Sequence, residues 1–169
     1  REGGTRFLFT ANWGPGKEKR VIKVDKKDLT ALSPRARRHV ERGCDTSNEI
    51  QALANIPEPE KNGLMRLLDY RDLVAVGYEG AASVESYFDS SSLEELVQNE
   101  GALSREGARQ IFTKVFDAAK YFVKTTERLH RDPKPSNILI GKEDNVGEIR
   151  LIDCANAAHT TGLEEKYNP

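Results

Sequence analysis

From Ser104 to Phe122 the apolar residues Ala108, Ile111, Val115, Ala119 and Phe122 recur at helical spacing. Ser104 can cap that stretch and Glu106 falls in its positive first turn, so the spacing predicts one long helix with a single buried face. The apolar runs on either side are short and read as strands or brief helices. Phe7 and Phe9 alternate with Leu8 and Thr10 over Thr5 to Thr10, and Arg20 to Val24 is a β-branched run carrying Lys23. The cluster Trp13-Gly14-Pro15-Gly16 supplies a turn between them, so a hairpin is expected. Asp45 to Ile56 reads as a helix with Ile50, Leu53 and Ile56 on one face, capped by Asp45, Thr46 or Ser47 and ended by Pro57 and Pro59. Leu64 to Tyr70 and Leu73 to Tyr78 read as strands joined at Arg71-Asp72. After the small residues Gly80-Ala81-Ala82-Ser83, the stretch from Ser83 to Asn99 reads as one or two short helices broken at Ser90-Ser91-Ser92. Beyond the long helix, Leu139-Ile140 and Ile149 to Ile152 are two short strands around a turn. Strands, helix, strands, helices and hairpin in that order make an α+β chain with segregated layers.

Charge narrows the function classes. The formal net charge is -1, so no global field points to nucleic acid or to an anionic membrane surface. The basic stretch Lys26 to Arg42, where Ser33-Pro34 can start a helix, reads as a solvated charged surface. No apolar run approaches the roughly 18 residues of a membrane-spanning helix. Cys44 and Cys154 lie far apart, which argues against a disulfide framework and for a reducing, intracellular and cytoplasmic setting. The chain begins at Arg1 rather than Met, so it is expected to be part of a longer protein.

The chemistry is concentrated in His130-Arg131-Asp132-Pro133-Lys134-Pro135-Ser136-Asn137. Asp132 is followed five residues later by Asn137, after a long helix and before a strand. Phosphoryl transfer needs one carboxylate to orient an attacking hydroxyl and take its proton, and an oxygen ligand for magnesium; one loop that turns back on itself delivers both. Asp153 follows the second of the two late strands. Lys23 closes Val21-Ile22-Lys23 in an early strand, and Glu49 opens the helical Asn48-Glu49-Ile50-Gln51.

Together these segments resemble the eukaryotic-type protein kinase family over nearly the whole chain. Lys134-Pro135 resembles the serine/threonine class and argues against a small-molecule kinase. The resemblance implies a small ATP-binding lobe (1–80) and a partial helical lobe (81–169) that carries the catalytic loop and activation segment. It implies ATP and Mg2+ as cofactors, and a protein substrate or partner. Residue by residue, it makes Asp132 the base with Lys134 beside it, Asn137 and Asp153 the metal ligands, and Lys23 with Glu49 the phosphate clamp. Gly3 and Gly4 fall in the glycine-rich loop, Val76 at the gatekeeper position, and Tyr78 with Ser83-Val84 at the hinge and the start of the next helix. His130 takes a structural role within the loop. Asp153 to Pro169 also has a short likeness to plastid state-transition kinases.

Departures from the family motivate a second reading, a pseudokinase that binds partners with or without nucleotide. Arg1 and Arg6 stand where glycines would let the backbone approach phosphate. Cys154 and Ala155 replace the Phe and Gly that follow the metal-binding Asp, and Pro133 replaces a Leu. Arg6 is expected either to compensate in part for the lost glycine or to fill the site. The chain ends at Pro169, about where the activation segment ends, so the family's later helices are expected to lie outside it.

Overall fold

A computed structural model of the chain describes residues 6–25, 46–72, 81–142 and 147–161. Strand β1 (Arg6–Trp13) turns back into β2 (Glu18–Asp25), with Leu8 opposite Lys23. Gly14 takes a φ of 82°, and Lys17 N–H closes the turn on Gly14 O at 3.1 Å. The expected hairpin is present, with strands longer than their β-branched runs.

Two further strands complete an antiparallel sheet in the order β1-β2-β4-β3, where β3 is Leu67–Asp72 and β4 is Ala81–Ser86. Three expectations are corrected here. Arg71-Asp72 continues a strand instead of turning the chain. Ser83-Val84 lies inside β4, paired with Lys23 and Ile22 of β2, and is neither a hinge nor a helix start. The sheet therefore extends past residue 80, and the division between 80 and 81 falls before its last strand. The small residues misled because a strand hydrogen-bonded on both sides and buried on both faces does not need β-branched side chains. The readings on Gly3, Gly4, Val76, Tyr78 and the basic stretch after Lys26 lie outside the described residues.

Helix α1 (Thr46–Leu53) is shorter than the pattern from Asp45 to Ile56. Eight residues are too few for a stable isolated helix. Asp25 Oδ1 accepts from Thr46 N at 3.2 Å and from its hydroxyl at 2.5 Å, while Asp25 Oδ2 accepts from Ala81 N at 3.0 Å. One carboxylate thus ties the end of β2 to the start of both α1 and β4.

The C-terminal part holds β5 (Ser90–Ser92), α2 (Leu93–Glu100), α3 (Arg105–Thr126), β6 (Arg128–Leu129), β7 (Ile138–Gly141), β8 (Ile149–Leu151) and β9 (Ala158–His159). Ser90–Ser92 does break the sequence after β4, but as a strand: β5, β7 and β8 form a three-stranded sheet, and β6 pairs with β9. Ser92 and Glu95 form a capping box on α2, at 3.1 and 3.0 Å. Ser104 caps α3 by accepting from Gly107 N at 3.0 Å.

Val115, Ala118 and Phe122 of α3 pack with Ile138, Ile149 and Leu151 against Ala52 and Leu53 of α1. The predicted stripe is right in period; Ala118 is its deepest alanine, and Ile111 and Ala119 lie at its edge. Gly63 sits where α3 and β8 converge. Its φ is 71°, and a Cβ there would lie 3.1 Å from both Ala118 Cβ and Ile149 Cδ1. No helix among the described residues is long and apolar enough to cross a membrane.

Candidate active site

Period-two geometry lines up one face of the sheet. Lys23 stands opposite Leu8 on β1 and Ser83 on β4; two residues along the same strands are Arg6 and Glu85. This face looks toward α1, and Glu49 rises to meet it. Lys23 Nζ lies 2.8 Å from Glu49 Oε1 and 2.8 Å from Glu85 Oε1. The Arg6 guanidinium donates through Nη1 to Glu49 Oε2 and through Nη2 to Asp153 Oδ1, the latter at 2.5 Å. Five charged side chains from β1, β2, α1, β4 and the turn after β8 therefore form one continuous chain.

Their electrostatics follow from burial against pairing. Burial alone would push the Glu49 carboxyl up, but Lys23 and Arg6 hold it below its usual range. Burial opposes charge on Lys23 as well, and Glu49 with Glu85 more than offsets it, so the ammonium is held firmly. Glu85 goes the other way: burial pushes its carboxyl up, Lys23 offsets only part of that, and the negative Glu49 adds to the rise. One lysine does not neutralise two carboxylates. Asp153 is held low despite its burial, by Arg6 first and then Lys23.

The loop 130–137 is fixed by bonds of its own. His130 Nδ1 accepts from Asp132 N at 3.3 Å and its Nε2–H donates to Ile152 O at 3.0 Å, which defines a neutral imidazole. Burial also lowers its pKa. His130 thus ties the loop to Ile152, the residue before Asp153. Lys134 Nζ sits 2.5 Å from Asp132 Oδ2, and Asn137 Nδ2 donates to Asp132 O at 3.0 Å and to Oδ2 at 3.1 Å. Pro135 opens a single 3-10 turn over Pro135–Asn137, which brings Asn137 back onto Asp132. Ile152 N then donates to Asn137 O at 2.9 Å, so the loop and the Asp153 turn are laced together. Arg131 and Asp153 both carry positive φ, 67° and 66°, in a region that non-glycine residues seldom occupy.

A model of the protein kinase domain matches residues 16–168. The chain belongs to the protein kinase family. A comparison with curated proteins returns no match. Arg6 lies ahead of the matched residues.

In this kinase the structure brings together Lys23, Glu49 and Asp153, and separately Asp132, Lys134 and Asn137, with the two groups joined through Ile152. Asp153 and Asn137 offer a carboxylate and an amide oxygen, hard donors of the kind magnesium takes. The amide nitrogen of Asn137 is engaged by Asp132. By donor chemistry a carboxylate and an amide oxygen suit that ion, and Arg6 already occupies one of the Asp153 oxygens.

Three participants escaped the sequence reading. Glu85 was hidden because its strand was read as helix; its signal was a lone acid between Val84 and Ser86 in a small-residue run. Asn48 donates to Ala155 O at 2.6 Å and Ala157 O at 2.9 Å, and its own oxygen accepts from Arg128 at 3.0 Å. Asn156 Nδ2 lies 3.4 Å from Asp132 Oδ2. Cys154 occupies a core position, where burial pushes its thiol well up and makes it inert. Its backbone N–H donates to Glu49 Oε1 at 3.1 Å.

Proposed function

We propose that this protein kinase binds ATP with magnesium and transfers the γ-phosphoryl group to a serine or threonine hydroxyl of a protein. The observation that carries the reading is the setting of Asp132. Lys134, Asn137 and Asn156 all donate to Oδ2, which orients the carboxylate and leaves Oδ1 as the atom to take a proton. The substrate hydroxyl oxygen bonds to the γ-phosphorus, the bond to the β-phosphate oxygen breaks, ADP leaves and the hydroxyl proton passes to Asp132. Lys134 sits where it can balance charge on the transferring oxygens, and Lys23, steadied by Glu49, would hold the phosphates. Asn137 and Asp153 would hold magnesium, which supplies positive charge to the phosphate oxygens. Lys134-Pro135 supports the serine/threonine assignment.

A second reading has its own observation. Arg6 on Asp153, with Ala155 two residues further on in place of a more flexible glycine, favours a pseudokinase that keeps the cleft without the transfer. The test is radiolabel transfer to serine/threonine peptides and to the protein itself. An Asp132→Asn variant should lose about 100-fold or more in rate. Equal transfer by wild type and Asp132→Asn would sink the first reading. Nucleotide binding without any Asp132-dependent transfer would establish the second.

A further inference from the structure

We propose that Asn48 of α1 is a positioning residue of the transfer step, and that it acts on the Asp132 carboxylate through Asn156. The proposal rests on the reading above in which Asp132 takes the hydroxyl proton.

The side-chain donors at Asp132 Oδ2 differ in origin. Lys134 at 2.5 Å and Asn137 at 3.1 Å belong to the same loop as Asp132 and are folded onto it by the 3-10 turn, so they move with the base. Asn156, at 3.4 Å, is the one donor among the described residues that reaches this carboxylate from another segment. It registers Oδ2 against the turn that carries Asp153. A contact of that length is loose, so its effect depends on how firmly Asn156 is held. Asn48 does the holding. Its amide nitrogen donates to Ala155 O at 2.6 Å and to Ala157 O at 2.9 Å, the carbonyls of the residues on either side of Asn156. Its amide oxygen accepts from Arg128 at 3.0 Å, in the strand that leads into the loop of Asp132. One amide thus spans the segment before Asp132 and the segment that bears Asn156, and it cannot turn over without losing bonds on both sides. The pairing of Leu129 with Ala158 runs between the same two segments. The distance from Asn156 to the base is therefore set from α1, and small errors of placement at a reacting group are costly.

The test is steady-state transfer from ATP to a degenerate serine/threonine peptide mixture, for wild type, Asn48→Ala, Asn156→Ala, the double variant and Asn156→Asp, with folding checked by circular dichroism. Asn48→Ala and Asn156→Ala should each lower kcat by about tenfold, while KM for ATP changes by less than about twofold. The double variant should be no slower than the slower single one, because the two residues act in series. Asn156→Asp keeps the size of the side chain but sets a second carboxylate against Oδ2, so it should lose more than Asn156→Ala. Losses that multiply in the double variant overturn the proposal, as does a change confined to KM. Asn156→Asp as active as wild type overturns it too, since Asn156 would then only fill space. If Asn48→Ala does not fold, Asn48→Ser takes its place in the same cycle. A folded wild type without Asp132-dependent transfer overturns the transfer reading, and the proposal with it.

Discussion

Lys23 serves two buried carboxylates, and the energetics of the site turn on that sharing. Lys23→Met would leave Glu49 with Arg6 and the Cys154 N–H, and Glu85, among the described residues, with the Ser83 hydroxyl 3.3 Å away. Removing one member of a buried ion pair costs about 3–5 kcal/mol. We expect Lys23→Met to lower stability by about that much, and Glu85→Gln added to it to restore about 1 kcal/mol or more, read from urea midpoints in a double-mutant cycle. Additive effects would show that Lys23 and Glu85 are not coupled. Glu85→Gln by itself tests the raised carboxyl. A group whose folded pKa lies above its unfolded value of 4.5 stabilises fully below that value and loses the contribution as pH rises through the folded pKa. The stability of Glu85→Gln minus wild type should therefore grow as pH rises, and a pH-independent difference would count against the assignment. The acid loop was legible in sequence because it is local: Asp132, Lys134 and Asn137 meet through one 3-10 turn. The bond between Arg6 and Asp153, which are 147 residues apart, was not, because only the folded sheet decides that Arg6 shares the inward face of Lys23.

At the level of elements, α1 is fastened to the Asp153 turn by the side chain of Asn48 and by the Glu49 carboxylate that receives Cys154 N–H. Asn48→Ala leaves two carbonyl groups without their donor. We predict a loss of about 1–3 kcal/mol, together with faster amide exchange at 154–157 than in wild type. Unchanged exchange there would mean that the α1 contact does not order the turn. At Gly63 an added methyl meets Ala118 and Ile149, on a left-handed backbone. Gly63→Ala should cost about 1–3 kcal/mol through strain and crowding combined; a thermal midpoint equal to wild type would refute this. Elements whose pattern is long and periodic, such as α3, were legible from spacing. Strand β4 was not, since alanine and serine carry little preference of their own and its identity comes from lying between β2 and β3.

Across the whole molecule, several groups make acid destabilising. His130 is held neutral below its ordinary 6.5, while Glu49 and Asp153 are held ionised below 4.5 and 3.8. In each case the unfolded chain binds protons before the folded one does, so stability falls as pH drops, first through the histidine range and then through the carboxylate range. Glu85 opposes this trend but is a single group. Denaturant midpoints measured from about pH 8 down to about pH 4 should decline throughout, and a midpoint that rose toward acid would show that Glu85 dominates.

The fastening of α1 also sets an order of events during synthesis. The hairpin β1–β2 is local and can form as soon as it leaves the ribosome. Helix α1 is too short to persist alone, and the bonds that fasten it to the Asp153 turn, at Cys154, Ala155 and Ala157, reach 105 to 109 residues downstream of Glu49 and Asn48. A nascent chain paused anywhere before Cys154 therefore carries Lys23 and Glu49 with no finished cleft around them. Assembly of the site waits for closure of a very long loop, a slow step that leaves the apolar face of α3 in need of shelter while the rest of the chain is made.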